Sequence, residues 1–226
     1  MTLLLIPGLK ADARSWGGVD ARLGAAIPDH HFAEPTIEAM AAAILARAPD
    51  RFDLAGHSMG GYIAFAMLRL APGRIRRVAF VATQARPDSA EATARRREMM
   101  TLAVAQGMAA VTEATLDLDV FDKRPDVIAA MMATAAAFPV ATYLSQQEAV
   151  IIRPDSRPGL KDIACPAAVI GGGEDRLLPP HLSEEIAAGI PGATLDLIPA
   201  CGHCAPLEQP ERVAALLAGW LERPAC

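Results

Sequence analysis

Short apolar runs and amphipathic stretches alternate along most of this chain. Thr2 to Ile6 is apolar and ends at Pro7-Gly8, which predicts a fully buried strand. Trp16 to Ala26 reads as a short helix weakened by Gly17 and Gly18, and His30 to Ala33 as a poor strand. Thr36 supplies a hydroxyl N-cap and Glu38 an early acid, so a helix is expected from there to about Ala48, where Pro49 stops it. Arg51 to Gly56 reads as strand, Gly60 to Leu70 as an apolar helix closed by Ala71-Pro72-Gly73, and Arg76 to Ala82 as strand. Strand signals return at Ala167 to Ile170 and at Thr194 to Ile198, each followed by a loop and a helical stretch. Buried strands alternating with helices predict an α/β fold, a mostly parallel sheet with helices on both faces.

The alternation fails between Gln84 and about Asp162. Pro87, Pro125, Pro139, Pro154 and Pro158 punctuate this stretch, and the segments between them have helical composition without a convincing strand. The expected organisation is an α/β core of residues 1–83 and 163–226, interrupted by a helical insertion of residues 84–162. Met99, Met100, Met108, Met131 and Met132 in the insertion suit an adaptable apolar pocket wall, and equally an ordinary helical core. Met99 and Met131 are the candidates for contact with a substrate. Arg95-Arg96-Arg97 is read as a solvated face, because three successive helical residues point three ways.

Composition narrows the partners. The chain has 226 residues, 52% hydrophobic and 21% charged, which supports a sizeable core and excludes intrinsic disorder. A net charge of −5 and 4% aromatic residues argue against nucleic acid as a partner. The longest apolar stretch, Val127 to Ala141, contains Thr134 and Pro139 and falls short of a membrane span. The start of the chain lacks a basic n-region, so the expectation is a cytoplasmic protein without a membrane partner. Four cysteines, Cys165, Cys201, Cys204 and Cys226, do not make a disulfide framework in a chain of this length.

The most informative stretch is Gly56-His57-Ser58-Met59-Gly60, a G-x-S-x-G where a strand turns into a helix. Such a turn strains its middle residue and tolerates no bulk on either side. It lifts the serine hydroxyl clear of the sheet and sets a helix N-terminus beneath it, where backbone N–H groups can receive an oxyanion. A serine nucleophile needs a base, and the base an orienting acid. Of five histidines, His57 adjoins the serine and points away from its hydroxyl, His30 and His31 precede the elbow as surface or packing residues, and His181 begins a solvated helix. His203 follows the last strand in Ala200-Cys201-Gly202-His203-Cys204, on the sheet edge where open α/β folds bind ligands. Asp175, in Gly171-Gly172-Gly173-Glu174-Asp175-Arg176, is the candidate acid, with Glu174 as its competitor.

These pieces, with Pro7-Gly8-Leu9 before them and Glu208-Gln209-Pro210 after His203, occur in the order nucleophile, acid, histidine. The chain resembles the α/β-hydrolase superfamily, in particular small bacterial esterase-like serine hydrolases, over nearly its whole length. The resemblance implies Ser58, Asp175 and His203 as catalytic residues, and backbone N–H groups of Leu9 and Met59 as oxyanion donors. It implies a helical cap at the insertion, a small ester or acyl substrate, and neither a metal nor an organic cofactor. The same triad serves C–C bond hydrolases, lyases and perhydrolases, and a ligand-sensing protein without turnover keeps the same residues. Two departures stand out. The sheet begins late, which implies about six strands, and Pro7-Gly8 replaces the usual His-Gly of the oxyanion loop.

Cys201-Gly202-His203-Cys204 also reproduces a disulfide-oxidoreductase motif. A thioredoxin-like domain needs further strands after it, and the chain ends 22 residues beyond Cys204. Zinc has no obvious further ligand besides Cys165. The two thiols are therefore expected to be small loop residues beside the site.

Overall fold

A computed structural model describes residues 2–225. Five strands form one sheet: β1 (Leu3–Ile6), β2 (Phe52–His57), β3 (Ile75–Val81), β4 (Ala167–Gly172) and β5 (Thr194–Ile198). They lie side by side in chain order and every pair is parallel. The expectation of about six strands was one too many among the described residues. Leu4 meets Ala26 through a single parallel bridge where a sixth strand would run, and Pro28, which has no amide proton to donate, follows it. His30 to Ala33, the poor strand candidate, forms turns instead.

Helices α1 (Val19–Leu23), α2 (Ile37–Arg47) and α3 (Met59–Leu70) follow the first two strands, and Thr36 caps α2 by accepting the Ala39 N–H at 3.0 Å. The insertion between β3 and β4 contains α4 (Ala90–Asp119), α5 (Pro125–Ala137) and α6 (Val140–Ile151). Helices α7 (His181–Gly189), α8 (Ala205–Glu208) and α9 (Pro210–Leu221) complete the chain. A chain that steps each time to the neighbouring strand with one crossover hand must put its crossover helices on one face. Accordingly α2, α3 and α7 share a core with Leu4, Ile6, Leu54, Val78, Phe80 and Val169. The alternate strand residues, Leu3, Leu5, Ala55, Ala79, Val81 and Ile170, point the other way and pack on α1, α9 and Trp16. Both faces being covered explains why the inner strands read as continuous apolar runs.

The three insertion helices have a core of their own, built from Ala103, Met108, Val111, Ala135, Phe138 and Tyr143. Met99 packs at the rim of that core. Helix α4 is broken in the middle, where Gly107 has φ 81° and ψ 179°. That conformation is essentially restricted to glycine, and it redirects the second half of α4. Among the described residues no single helix is long and apolar enough to cross a membrane.

Gly107→Ala should therefore lower stability by about 1–3 kcal/mol, although open space surrounds the position. Ala109→Gly, two residues on, should cost about 1 kcal/mol. Urea unfolding of the two variants checks this, and equal costs would mean that the break imposes no strain.

Candidate active site

The site begins where β2 becomes α3 in a single residue. Ser58 has φ 52° and ψ −115°, a conformation that an L-residue adopts only under constraint, at a cost on the order of 1–3 kcal/mol. Three backbone bonds hold it there. Its N–H donates to Val81 O at 2.9 Å, and its carbonyl accepts from the Gly61 N–H at 2.9 Å and from Thr83 Oγ1 at 2.8 Å. The elbow also needs small neighbours. A Cβ on Gly56 would run into the Gly60 carbonyl, and one on Gly60 into the Ile6 carbonyl. The loop after β1 lies directly on the turn, since a Cβ at Gly8 would be 3.2 Å from Ser58 Cβ.

His203 reaches this serine from the loop after β5. Its Nε2 is 2.9 Å from Ser58 Oγ, and its Nδ1 is 2.8 Å from Asp175 Oδ2. His203 and Asp175 are both buried, whereas Glu174 is exposed. Asp175 Oδ1 accepts the N–H groups of Leu177 at 2.9 Å and Leu178 at 2.8 Å, so the carboxylate cannot swing. Burial works to lower the pKa of His203, but the Asp175 charge and hydrogen bond outweigh it, and the net direction is upward from 6.5. Met59 is the first residue of α3, so its N–H has no carbonyl one turn earlier to bond. Leu9, in the loop over the elbow, is half-buried.

Sequence reasoning missed two braces. Glu208 is buried and accepts the Gly202 N–H at 3.0 Å with one oxygen and the Phe121 N–H at 2.8 Å with the other. It thereby clamps the His203 loop to the end of α4. Burial raises its pKa despite those donors. His57, adjacent to the serine, points its Nε2 to the His203 carbonyl at 3.0 Å; the ring is buried and its pKa falls to about 4, so it stays neutral and donates. Lys10 was also unmarked. Its ammonium pairs with Asp119 Oδ2 at 2.8 Å and donates to Thr115 Oγ1 at 2.7 Å, while its backbone N–H donates to Gln146 Oε1 at 3.0 Å. One loop residue is thus tied to both α4 and α6, more than 100 positions away, and no local pattern could reveal that.

Above Ser58 is a cavity of about 130 Å³. Ser58, Met59, Leu9 and His203 form one side, and Met131, Thr134, Val150 and Arg96 of the insertion form another. Met131, a candidate for substrate contact, lines the cavity. Met99 does not, because its turn of α4 faces the insertion core. Arg95 and Arg97 are exposed, but Arg96 turns inward to the cavity wall, against the reading of the whole triplet as a solvated face. Among the described residues no group of three or more His, Cys, Asp or Glu side chains is arranged to hold a metal ion.

Comparison with known proteins places this geometry in context. Residues 5–216 match the family described as alpha/beta hydrolase. A pimeloyl-[acyl-carrier protein] methyl ester esterase of Aromatoleum aromaticum is 27% identical over 95% of this chain and 96% of its own length. A thermophilic esterase from Thermogutta terrifontis superposes with TM-score 0.88 at 30% identity, over 98% of this chain and 89% of the other. The enol-lactonase from Burkholderia xenovorans LB400 also gives 0.88, at 26% identity, over 98% and 91%.

Cys201 and Cys204 are free thiols, and Cys226 lies outside the described residues. Burial pushes Cys201 up to about 12, and it raises Cys204, which borders the cavity, well above its ordinary 9.0. A redox dithiol requires the opposite, a lowered pKa. At pH 7.5 the peptides carrying Cys201 and Cys204 should accordingly stay unlabelled by iodoacetamide in the native protein, and label on unfolding. Rapid native labelling, read by mass spectrometry, would restore the redox reading.

Proposed function

This chain belongs to the alpha/beta hydrolase family, and from that we propose that it is a serine hydrolase cleaving a small carboxylic ester through an acyl-enzyme on Ser58. The coarser assignment, an esterase-like hydrolase, follows from relatives named as esterases across nearly its whole length. What supports the finer one best is the continuous hydrogen-bonded run from Asp175 through His203 to Ser58, at 2.8 and 2.9 Å.

His203 Nε2 takes the Ser58 proton as Oγ attacks the ester carbonyl carbon. Asp175 keeps the other ring nitrogen protonated and stabilises the imidazolium. The tetrahedral oxyanion is received by the Leu9 and Met59 N–H groups, each worth about 3 kcal/mol to the transition state. Collapse breaks the carbon–oxygen bond to the alcohol, which leaves with the proton from His203. A water molecule, deprotonated by His203, then attacks the acyl-enzyme and releases the carboxylic acid. No step requires a cofactor. Helices α4 to α6 act as the cap that shields this exchange from bulk water, with Met131 in its inner wall and residues 1–83 and 163–226 as the core beneath. The enol-lactonase likeness suits the same chemistry, a lactone being a cyclic ester.

Ser58→Ala should abolish hydrolysis of p-nitrophenyl acetate and covalent labelling by a fluorophosphonate. Labelling at another serine would overturn the assignment, and no turnover of any ester by the wild type would favour a ligand-sensing role. The pH dependence has a definite sign. His203 must be neutral to accept a proton, so kcat/KM should fall as pH drops through a His203 pKa above its ordinary 6.5. Asp175→Asn removes the charge that raises that pKa, so the acid limb should move to lower pH while the rate falls by about 10⁴. An unmoved limb would show that another group controls it.

A further inference from the structure

The cavity over Ser58 is mostly apolar, yet its wall carries a cation whose charge is not fully answered. Arg96 of α4 lines the cavity and is only one-fifth exposed. Its Nε donates to Asp88 Oδ2 at 3.0 Å and its Nη1 to Gln147 Oε1 at 3.0 Å. Those two bonds use two of the five guanidinium donors and leave Nη2 without a protein acceptor.

The neighbouring charges do not close the account. Asp88 also pairs with Arg153, whose Nη1 lies 2.6 Å from Oδ1, so one carboxylate faces two guanidinium groups. Arg153 sits 4.4 Å above the Tyr62 ring, and Tyr62 itself borders the cavity. The Arg153 Nη2 is buried with no partner. Lys10 and Asp119, the other charges on the cavity wall, neutralise each other. Glu148 of α6 is taken by Arg97, and Glu91 and Glu98 of α4 are exposed. One positive charge therefore remains at the wall of a cavity that apolar Val150 also lines, where a charge-assisted hydrogen bond is strong.

Given the hydrolase reading above, on which this rests, we propose that the substrate is a small ester bearing a free carboxylate, and that Arg96 is the specificity-determining residue that binds it. A monoanion matches the single surplus charge, and a carboxylate matches the planar guanidinium edge. A cavity of about 130 Å³ accommodates a short chain of this kind. The adjacent triplet residues take no part, since both are exposed.

Two probe pairs test this. Monomethyl glutarate is compared with methyl 5-amino-5-oxopentanoate, and 4-acetoxybutyrate with 4-acetoxybutanamide. The first pair places the charge on the acyl portion and the second on the alcohol portion. In at least one pair the acid should exceed its neutral amide in kcat/KM by about 10–100-fold, the range of one charged hydrogen bond. Arg96→Met should bring that ratio close to one, and Arg96→Lys should restore part of it. Fluorophosphonate labelling of Ser58 and the thermal midpoint establish that each variant is folded. Ratios near one in both wild-type pairs, or a preference that survives Arg96→Met, would overturn the proposal and leave ester hydrolysis standing. If the wild type turns over neither pair, calorimetric binding of the four probes to Ser58→Ala and to Ser58→Ala/Arg96→Met decides the anion site by itself. Preferential binding of an acid that is lost with Arg96 supports it, and equal binding of acid and amide refutes it.

Discussion

Ser58 occupies a backbone conformation that costs energy, and the fold around it is arranged to impose that conformation. The residue has positive φ between a strand and a helix, and its N–H and carbonyl are committed to Val81, Gly61 and Thr83. The compact turn also demands close approach. Gly56 meets Gly60, and Gly60 meets the end of β1, so β1, β2 and α3 cannot separate without releasing the serine. Strain of this kind survives only where the surroundings over-determine it. Here the central sheet supplies that rigidity, with Ile63, Phe65 and Met67 of α3 buried against Phe80 and its neighbours.

The partners of the serine come from loops, and loops need anchoring to be accurate. His203 is held at both ring nitrogens, at its carbonyl by His57, and through the preceding amide by Glu208. Glu208 binds the end of α4 with its other oxygen. A single buried carboxylate thus sets the distance between the histidine loop and the insertion. Removing it leaves the buried Gly202 N–H without an acceptor and releases the Phe121 N–H as well, which is why its role is larger than one hydrogen bond suggests.

Lys10 ties the same end of α4 to the loop after β1. The Asp119 pair compensates the desolvation of both groups, and it does so beside the candidate oxyanion loop rather than on the surface. Burial alone would raise the pKa of Asp119, yet the ammonium, together with the Thr115 hydroxyl, brings it below the ordinary range. The salt bridge is therefore fully charged at neutral pH. It couples the position of the loop that covers Ser58 to the helices that enclose the cavity. The charges of this wall are balanced at Lys10 and unbalanced at Arg96, a distinction of local pairing and not of composition.

Much of this was legible in the residues. All five strands were legible, the first four as short runs rich in apolar residues because both faces of a parallel sheet are covered, and β5, a largely exposed edge strand, by its alternation of apolar and polar residues. The glycines around Ser58 marked the elbow, since only close packing of backbones demands them at that spacing. Glu174 and Asp175 were adjacent candidates whose difference is one of direction, and only the loop after β4 decided that Asp175 turns inward. Tertiary structure also separated Met131 of α5, which lines the cavity, from Met99 of α4, which packs on the insertion core, and it turned Arg96 toward α6 and the cavity while its neighbours stay exposed. Lys10 and Asp119, or Glu208 and Phe121, are brought together across 109 and 87 positions of chain. Local sequence encodes strand, turn and the strained placement of Ser58 through short-range sterics. Long-range charge pairing exists only once the chain has folded back over the sheet.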